Sequence, residues 1–448
     1  MKRLFDPDLP FRPASFPFFY GWMIVAAGTA AMLFSLPGQT AGVGPFKEYV
    51  MAALGVSSLE LSTAYMIGTI ASGLTLPLMG GVFDRIGARK VGVMASLCLG
   101  AALLYMSQTD HIMLAIVDEP NVWVAMPLII VGFFCIRFWG QGVLSIVSRA
   151  MIGKWFDRKR GMASAISGMP VSIAFTSALL ILAWIMDWLG GWRQAWIGMG
   201  LFMLVVGTLF CWLVFRDNPE ECGLEMDGGA TDKPAKKVDS SEFTVYREFT
   251  PNEAARTLPF WLFSGTFCLN GFIGTALGFH AQSMAPEFGL TPEELYALFA
   301  KTVFINIPVS FGIGWMTSRF RLKYCYLLTM VAMIVSLVGY LNFPTGWGIA
   351  LFLVGTGVTW GSFGTLLTVT WPRYYGRKHL GKISSWVMTL MVITSALGPV
   401  FFDLSKWLTE SYHAAFYASI GGCVVILALC LRVENPQRRY ADEQTATD

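Results

Sequence analysis

Two cations stand where cations are costly. Arg137 lies about 14 residues into an apolar run over 122–148, roughly 21 Å deep at about 1.5 Å per residue. That is past the middle of a hydrocarbon core about 30 Å thick. Lys301 lies about a third of the way into a second run, over 294–317. A central arginine costs about 2.5–3.5 kcal/mol on insertion scales, so it should face a cavity and have a partner. Lys301 could instead snorkel toward the interface. No Asp or Glu occupies the middle of any apolar run; Asp187 and Asp403 sit near run ends, and Glu60 and Glu294 at run starts. With no protein carboxylate at hand, an anionic small molecule is the natural partner for these cations. This pattern argues against a cationic cargo, which would call for a membrane-embedded acid.

A second set of charges repeats. Gly80-Gly81-Val82-Phe83-Asp84-Arg85-Ile86-Gly87-Ala88-Arg89-Lys90 has a degenerate copy displaced by 234 positions, which carries Gly80 onto Gly314, Arg85 onto Arg319 and Arg89 onto Lys323. The same displacement carries Ser57 and Glu60 onto Thr291 and Glu294. Two matches at one displacement imply a duplicated unit. Ser57-x-x-Glu60 and Thr291-Pro292-x-Glu294 read as helix-starting capping boxes rather than proton carriers. Asp84 is suited to accept bonds from an arginine or a helix N-terminus, a clasp that would hold one conformation and release in another. Ser318, at the position of Asp84 in the second copy, cannot carry that charge.

These residues need long apolar elements to position them. The chain has 448 residues, of which 55% are hydrophobic and 14% charged, far from the roughly 25% charged residues of a soluble domain. Twelve runs are long enough to span a bilayer: 20–46, 58–82, 89–108, 122–148, 161–187, 194–215, 258–283, 294–317, 324–343, 346–371, 382–404 and 412–432. The expected class is an all-α membrane protein of two six-helix bundles, 20–215 and 257–432. A tail over 1–19, a linker over 216–256 and a second tail over 433–448 complete the division. Residues 1–19, broken by Pro10, Pro13 and Pro17, show no signal-peptide pattern. Lys and Arg gather in alternate connections (Arg85, Arg89, Lys90; Arg149, Lys154, Arg158, Lys159, Arg160; Arg319, Arg321, Lys323; Arg373, Arg377, Lys378, Lys382), against Lys47, Arg193 and Lys406 in the others. By the positive-inside rule both termini are cytoplasmic. The eight cysteines have no paired spacing, and four histidines form no metal-ligand cluster. No cofactor, metal, nucleic acid or covalent catalysis is implied.

The Asp84-Arg85-x-Gly87-x-Arg89-Lys90 loop, with its weaker copy, resembles the signature of the major facilitator superfamily, and the resemblance covers about 20–432. Tyr20-Gly21-Trp22, Trp155-Phe156-Asp157-Arg158-Lys159-Arg160-Gly161-Met162-Ala163 with Gly168-x-Pro170, Gly191-Trp192-Arg193 and Tyr374-Tyr375-Gly376-Arg377 are similar to the monocarboxylate transporters and the bacterial oxalate–formate antiporter group. The spacing from Ala163 to Gly168 is shorter than in the animal members. The superfamily resemblance implies alternating access around a central site lined by helices 1, 4, 7 and 10. Matched by order, the substrate contacts are Arg137 first, then Lys301, with Gln39, Gln141 and Asn270 orienting, His280 as a pH-sensitive group and Trp360 as an aromatic wall. Asp84, Arg85, Arg89 and Arg319 are the gating set. Leu36-Pro37-Gly38 and Gly398-Pro399 are expected kinks. The expected activity is transport of a small organic anion, with a proton as co-substrate or a counter-anion in exchange, across the inner or plasma membrane. Export of a hydrophobic compound is the alternative, and a transporter-like sensor or a channel fits less well.

Overall fold

The computed structural model describes residues 5–156, 159–228, 245–376 and 379–440; at Gly80, Gly81, Asp84, Arg160, Gly161 and Gly381 it describes the helix but not the side-chain surroundings. Among the described residues the regular structure is all helical. Among the described residues ten helices are long and apolar enough to cross a membrane. They are α2 (Ser58–Ile86), α3 (Ala88–Ser107), α4 (Val122–Trp155), α6 (Trp192–Val214), α7 (Leu258–Met284), α8 (Pro292–Arg319), α9 (Leu322–Leu341), α10 (Gly346–Tyr375), α11 (Leu380–Thr409) and α12 (His413–Cys430). A further span, α5, is bent by 60° at Ser177, between Arg160–Thr176 and Ala178–Leu189. The remaining apolar helix, α1, is shorter, Gly21–Phe34.

The helix starts follow the sequence. Ser57 and Thr291 each accept from the backbone of a glutamate three residues on, and Glu60 and Glu294 reach back to the cap, so both capping boxes are complete. A third box, Thr250 with Glu253, opens a short helix in the connection before α7. The Gly228–Glu242 stretch of that connection lies almost wholly outside the described residues.

The chain divides into two compact units, one of Met1–Lys233 with Gly278–Gln282, the other of Pro234–Leu277 with Ser283–Asp448. Each unit pairs its helices in the same way. In the first, α2 packs on α4 and α3 on α6; in the second, α8 packs on α10 and α9 on α12. The duplication seen in the loops is therefore present in the packing.

Ion pairs tie the connections of each unit. In the first, Arg193 at the start of α6 grips Asp110, just after α3, at 2.9 and 2.6 Å, and also donates to the Ser107 carbonyl. Burial acts to raise the Asp110 carboxyl, but the Arg193 hydrogen bonds and charge outweigh it and hold the carboxyl below its ordinary value. Asp110→Asn leaves a guanidinium that is 24% exposed without its counter-charge. A fully buried pair would cost about 3–5 kcal/mol on such a break. With part of Arg193 solvated, about 2–3 kcal/mol is expected, read as a lower thermal midpoint of the purified protein.

In the second unit Glu287, between α7 and α8, joins the α11–α12 turn. It accepts from Lys406 at 2.7 Å, from the Ser411 hydroxyl at 2.6 Å and from the Tyr412 amide at 2.9 Å. His413 Nδ1 stands 3.5 Å away. Burial opposes ionisation, yet these donors prevail and lower the Glu287 carboxyl from 4.5. A depressed carboxyl adds stability above its unfolded value, and that contribution is lost as pH falls through the folded value. Acidifying from neutral to below 4.5 should therefore lower the thermal midpoint more in the wild type than in Glu287→Gln. Equal slopes would remove Glu287 from the account.

Candidate functional site

The first span does not run unbroken over 20–46. Pro37 has no N–H and its ring clashes with a helical carbonyl, so α1 stops at Phe34. Three 3₁₀ turns follow, Leu36–Gly38, Thr40–Gly42 and Gly44–Phe46, with Gln39 extended between the first two. The broken stretch lies against α4 where that helix widens into π turns over Arg137–Leu144. Such bulges recur at functional sites. A Cβ on Gly38 would stand 2.5 Å from the Ile136 carbonyl oxygen and 2.7 Å from Gly140 Cα, so only glycine fits here.

Backbone that leaves the helical ladder must find other partners. Arg137 supplies them. Its Nη1 donates to the Gly38 carbonyl at 3.0 Å and to Thr40 Oγ1 at 3.3 Å. Thr40 Oγ1 and the Tyr65 hydroxyl share a hydrogen bond at 2.9 Å, and the guanidinium carbon stands 5.3 Å from the centre of the Tyr65 ring. Arg137 is 1% exposed, and its Nε is buried without a hydrogen-bond partner. No carboxylate pairs with it among the described residues. Beside it, Gln39 Nε2 donates to Ser35 Oγ at 3.0 Å and to Ser145 Oγ at 3.4 Å. Gln141, half-buried, lies between Arg137 and Ser145 on α4. The break in α1, the π stretch of α4 and Tyr65 of α2 thus converge on one polar cluster in an apolar unit.

Lys47 and His280 close the same region of the first unit. Lys47, assigned from sequence to a connection between spans, is buried to 1% exposure. Its Nζ lies 2.8 Å from Nδ1 of His280, itself fully buried. Phe279 packs on Tyr65 with ring centres 4.9 Å apart. The signal for burial of Lys47 in the sequence is the apolar Gly44-Pro45-Phe46 before it. Tyr65, Thr40 and Ser145 carried no charge and were missed.

In the second unit Asn270 on α7 is buried at 4% exposure. Trp360 on α10 is 42% exposed and lies along α7, since a Cβ on Gly274 would stand 2.9 Å from its ring. Lys301 corrects the expectation of a second buried cation. It is exposed, the last residue of the first segment of α8, with the helix interrupted at Thr302. Lys301 therefore lies on the surface of its unit rather than within it. The first unit holds Arg137, Gln39, Gln141 and His280, and the second Asn270, Trp360 and Lys301.

The gating set divides. The side chain of Asp84 lies outside the described residues, as do Asp157, Arg158, Arg377 and Lys378. Arg85 and Arg319 are exposed, Arg319 over the Trp315 ring at 5.0 Å. Arg89 is 2% exposed and faces inward. Its guanidinium donates to the carbonyls of Asp6 and Leu9 in the N-terminal tail and of Trp212 on α6, at 2.6–2.8 Å. Arg216 reinforces it by donating to Pro7 and Leu9 at 2.7 and 2.9 Å. The carboxylate at the start of α3 is Asp217, which accepts from the Arg89 amide at 2.9 Å beside Gly87, where φ is +85°. Sequence alone placed no acid after α6 in that role.

The Major Facilitator Superfamily profile matches residues 23–399. The chain belongs to the major facilitator superfamily. It is a multi-pass membrane protein of a transporter family, not an enzyme. Solved structures share the fold at low identity. A bacterial homolog of the human lysosomal transporter Spinster, inward-facing and unoccupied, is 13% identical with a TM-score of 0.61, over 92% of this chain and 94% of that one. The D-xylose–proton symporter is 14% identical with a TM-score of 0.64, over 93% and 98%. The nucleoside transporter NupG is 13% identical with a TM-score of 0.63, over 92% and 100%. A search of curated proteins gives no significant sequence match.

Proposed function

We propose that this superfamily member is a secondary active transporter for a small organic anion, a carboxylate, driven by a co-transported proton. Arg137 carries the reading. A buried guanidinium whose described hydrogen bonds go to neutral oxygens, with its Nε left over, is an incomplete ion pair. A carboxylate on the edge of the guanidinium opposite Nη1 would complete it with two charge-assisted bonds. Gln39, next to Gly38 in the broken stretch, and Gln141, one turn after Arg137 on α4, are proposed to orient the rest of the anion. Asn270, Trp360 and Lys301 are proposed to serve from the second bundle. The monocarboxylate and oxalate–formate resemblance of the loop motifs supports the same substrate class. The D-xylose–proton symporter runs proton symport on this fold, which supports the coupling. The Lys and Arg distribution supports cytoplasmic termini in an inner or plasma membrane, and Asp84, Arg85, Arg89 and Arg319 remain the proposed gating set.

The test is uptake by proteoliposomes of labelled monocarboxylates and dicarboxylates, with and without an imposed inward proton gradient. Accumulation that follows the gradient supports symport. Uptake that needs an internal anion instead supports exchange. If folded protein moves no acid under either condition, the anion reading fails.

A further inference from the structure

We infer that Lys47 and His280 form a proton-operated lock on the broken end of the first span. The inference rests on the proposed function only for its place in a proton-coupled cycle; its geometry stands by itself.

Lys47 follows the last 3₁₀ turn after α1 and opens a short helix, Lys47–Leu54. His280 lies near the end of α7, in the stretch Gly278–Gln282 that belongs to the first unit. Three neighbouring contacts hold that stretch. The Lys47 and His280 nitrogens are 2.8 Å apart. The Lys47 ammonium stands 5.6 Å from the centre of the Phe279 ring, which packs on Tyr65. Gly44 faces the Gly278 carbonyl so closely that a Cβ there would approach it to 2.2 Å. This stretch therefore rests on the irregular backbone that Arg137 also holds.

The pair accommodates one titrating proton, not two. An ammonium has only donors, so Nδ1 must be the acceptor and the imidazole must be neutral with its hydrogen on Nε2. A second proton turns Nδ1 into a donor facing a donor. It also places two like charges at contact distance in a buried site, which disfavours the charged forms together. Proton uptake by His280 is thus incompatible with the closed contact, and the contact must part to admit it. Histidine is the side chain whose ordinary titration falls at physiological pH.

Other titratable groups lie on the packed elements. Glu48 is 3.9 Å from the Lys47 ammonium, which keeps the lysine as the proton holder, and is 39% exposed. The Tyr65 hydroxyl is engaged with Thr40. Tyr49 shares the short helix of Lys47. Asp187 belongs to α5, whose Leu179 meets Gly44. On the other side of the α7 end, Ser283 shares a hydrogen bond with Tyr412 at 3.2 Å.

Hydrogen–deuterium exchange of the purified full chain tests the lock without a substrate. Peptides covering 36–54 and 272–290 are followed from pH 8 to pH 5, each rate corrected for its intrinsic pH dependence. In the wild type, protection should fall at least tenfold on acidification, while α3 and α9 stay unchanged. His280→Gln keeps an acceptor for Lys47 but takes no proton, and its profile should be flat. Lys47→Gln removes the like charge and offers an oxygen to a protonated ring, so it should be flat as well. A wild type with no acid response, or variants that respond as the wild type does, would overturn the lock. If one variant does not fold, the other and the wild-type profile still decide. Failure of the uptake panel would leave this result standing, and failure here would leave the anion assignment at Arg137 standing.

Discussion

Arg137→Gln is expected to lower gradient-driven carboxylate uptake by a hundredfold or more while the protein still reaches the membrane and folds. The guanidinium is proposed to give the anion two charge-assisted bonds in a buried site. Truncating one partner of such a pair costs about 2–5 kcal/mol, and each 1.4 kcal/mol is about tenfold. Arg137→Lys should fail almost as badly. A lysine keeps the charge but cannot donate to the Gly38 carbonyl and Thr40 while presenting a second edge to a ligand. The structural part of the loss must be separated. Without the arginine, the Gly38 carbonyl and Thr40 lose a donor, which costs about 1–3 kcal/mol of stability if no amide replaces it. Thr40→Val removes one of those acceptors, and the Tyr65 hydrogen bond with it, but leaves the guanidinium, so it reports the structural cost of disturbing the cluster. Uptake retained in Arg137→Gln would make Arg137 a brace for the broken span and nothing more, and would favour the export of a hydrophobic compound.

Gly38→Ala should be the most damaging small substitution in the first unit. The added methyl meets the Ile136 carbonyl oxygen at 2.5 Å, Gly140 Cα at 2.7 Å and the Gln141 nitrogen at 2.9 Å. All three are backbone atoms of α4, in the π stretch or in the residue just before it, so no side chain can swing aside. Overpacking of a tight interior costs about 1–3 kcal/mol, and a backbone clash on one wall should reach or exceed the upper figure. The expected result is little folded protein on size-exclusion chromatography, with residual material of much lower thermal midpoint. Gly168→Ala is the matched control. It lies within α5, nothing stands within 4 Å of an added Cβ, and a helix interior gains about 0.5–1 kcal/mol from the exchange. Equal behaviour of the two variants would refute the close approach of the first and fourth spans.

Much of this architecture was legible because it rests on length and local chemistry. Apolar runs set the spans, and Ser57 and Thr291 set two helix starts by rules that act within four residues. Pro37 announced a disturbance in α1, but a single kink was expected where three 3₁₀ turns occur. Their stability depends on Arg137 and Gly140, about a hundred positions away. The bend of α5 falls at Ser177, not at Pro170, because Pro170 is accommodated within a continuous helix while the hydrogen-bond pattern changes later. Gly398-Pro399 likewise lies within the uninterrupted α11. Arg137 stood out since a charge deep in an apolar run calls for a partner or a cavity. Lys301 stood out for the same reason, yet depth along a helix does not say which face a residue occupies. Arg89 was read as part of a moving clasp from its motif, whereas its described bonds run to the tail and α6. Nothing within its motif names partners that are eighty and more positions distant.

The tail deserves the same care in the laboratory as a core strand would. Arg89 and Arg216 are both nearly without solvent exposure, and their guanidinium groups are satisfied largely by carbonyls of Asp6, Pro7, Leu9 and Phe11. Deleting residues up to Phe11 to shorten an expression clone would remove these carbonyl acceptors, and with them the Phe5 and Phe11 rings that lie against Arg89 and Arg216, without touching any span. It would nonetheless strand two positive charges that the remaining protein was folded around. Affinity handles and reporter fusions at that end therefore need a spacer ahead of Phe5, and a trimmed clone that expresses poorly would say little about the transport site itself.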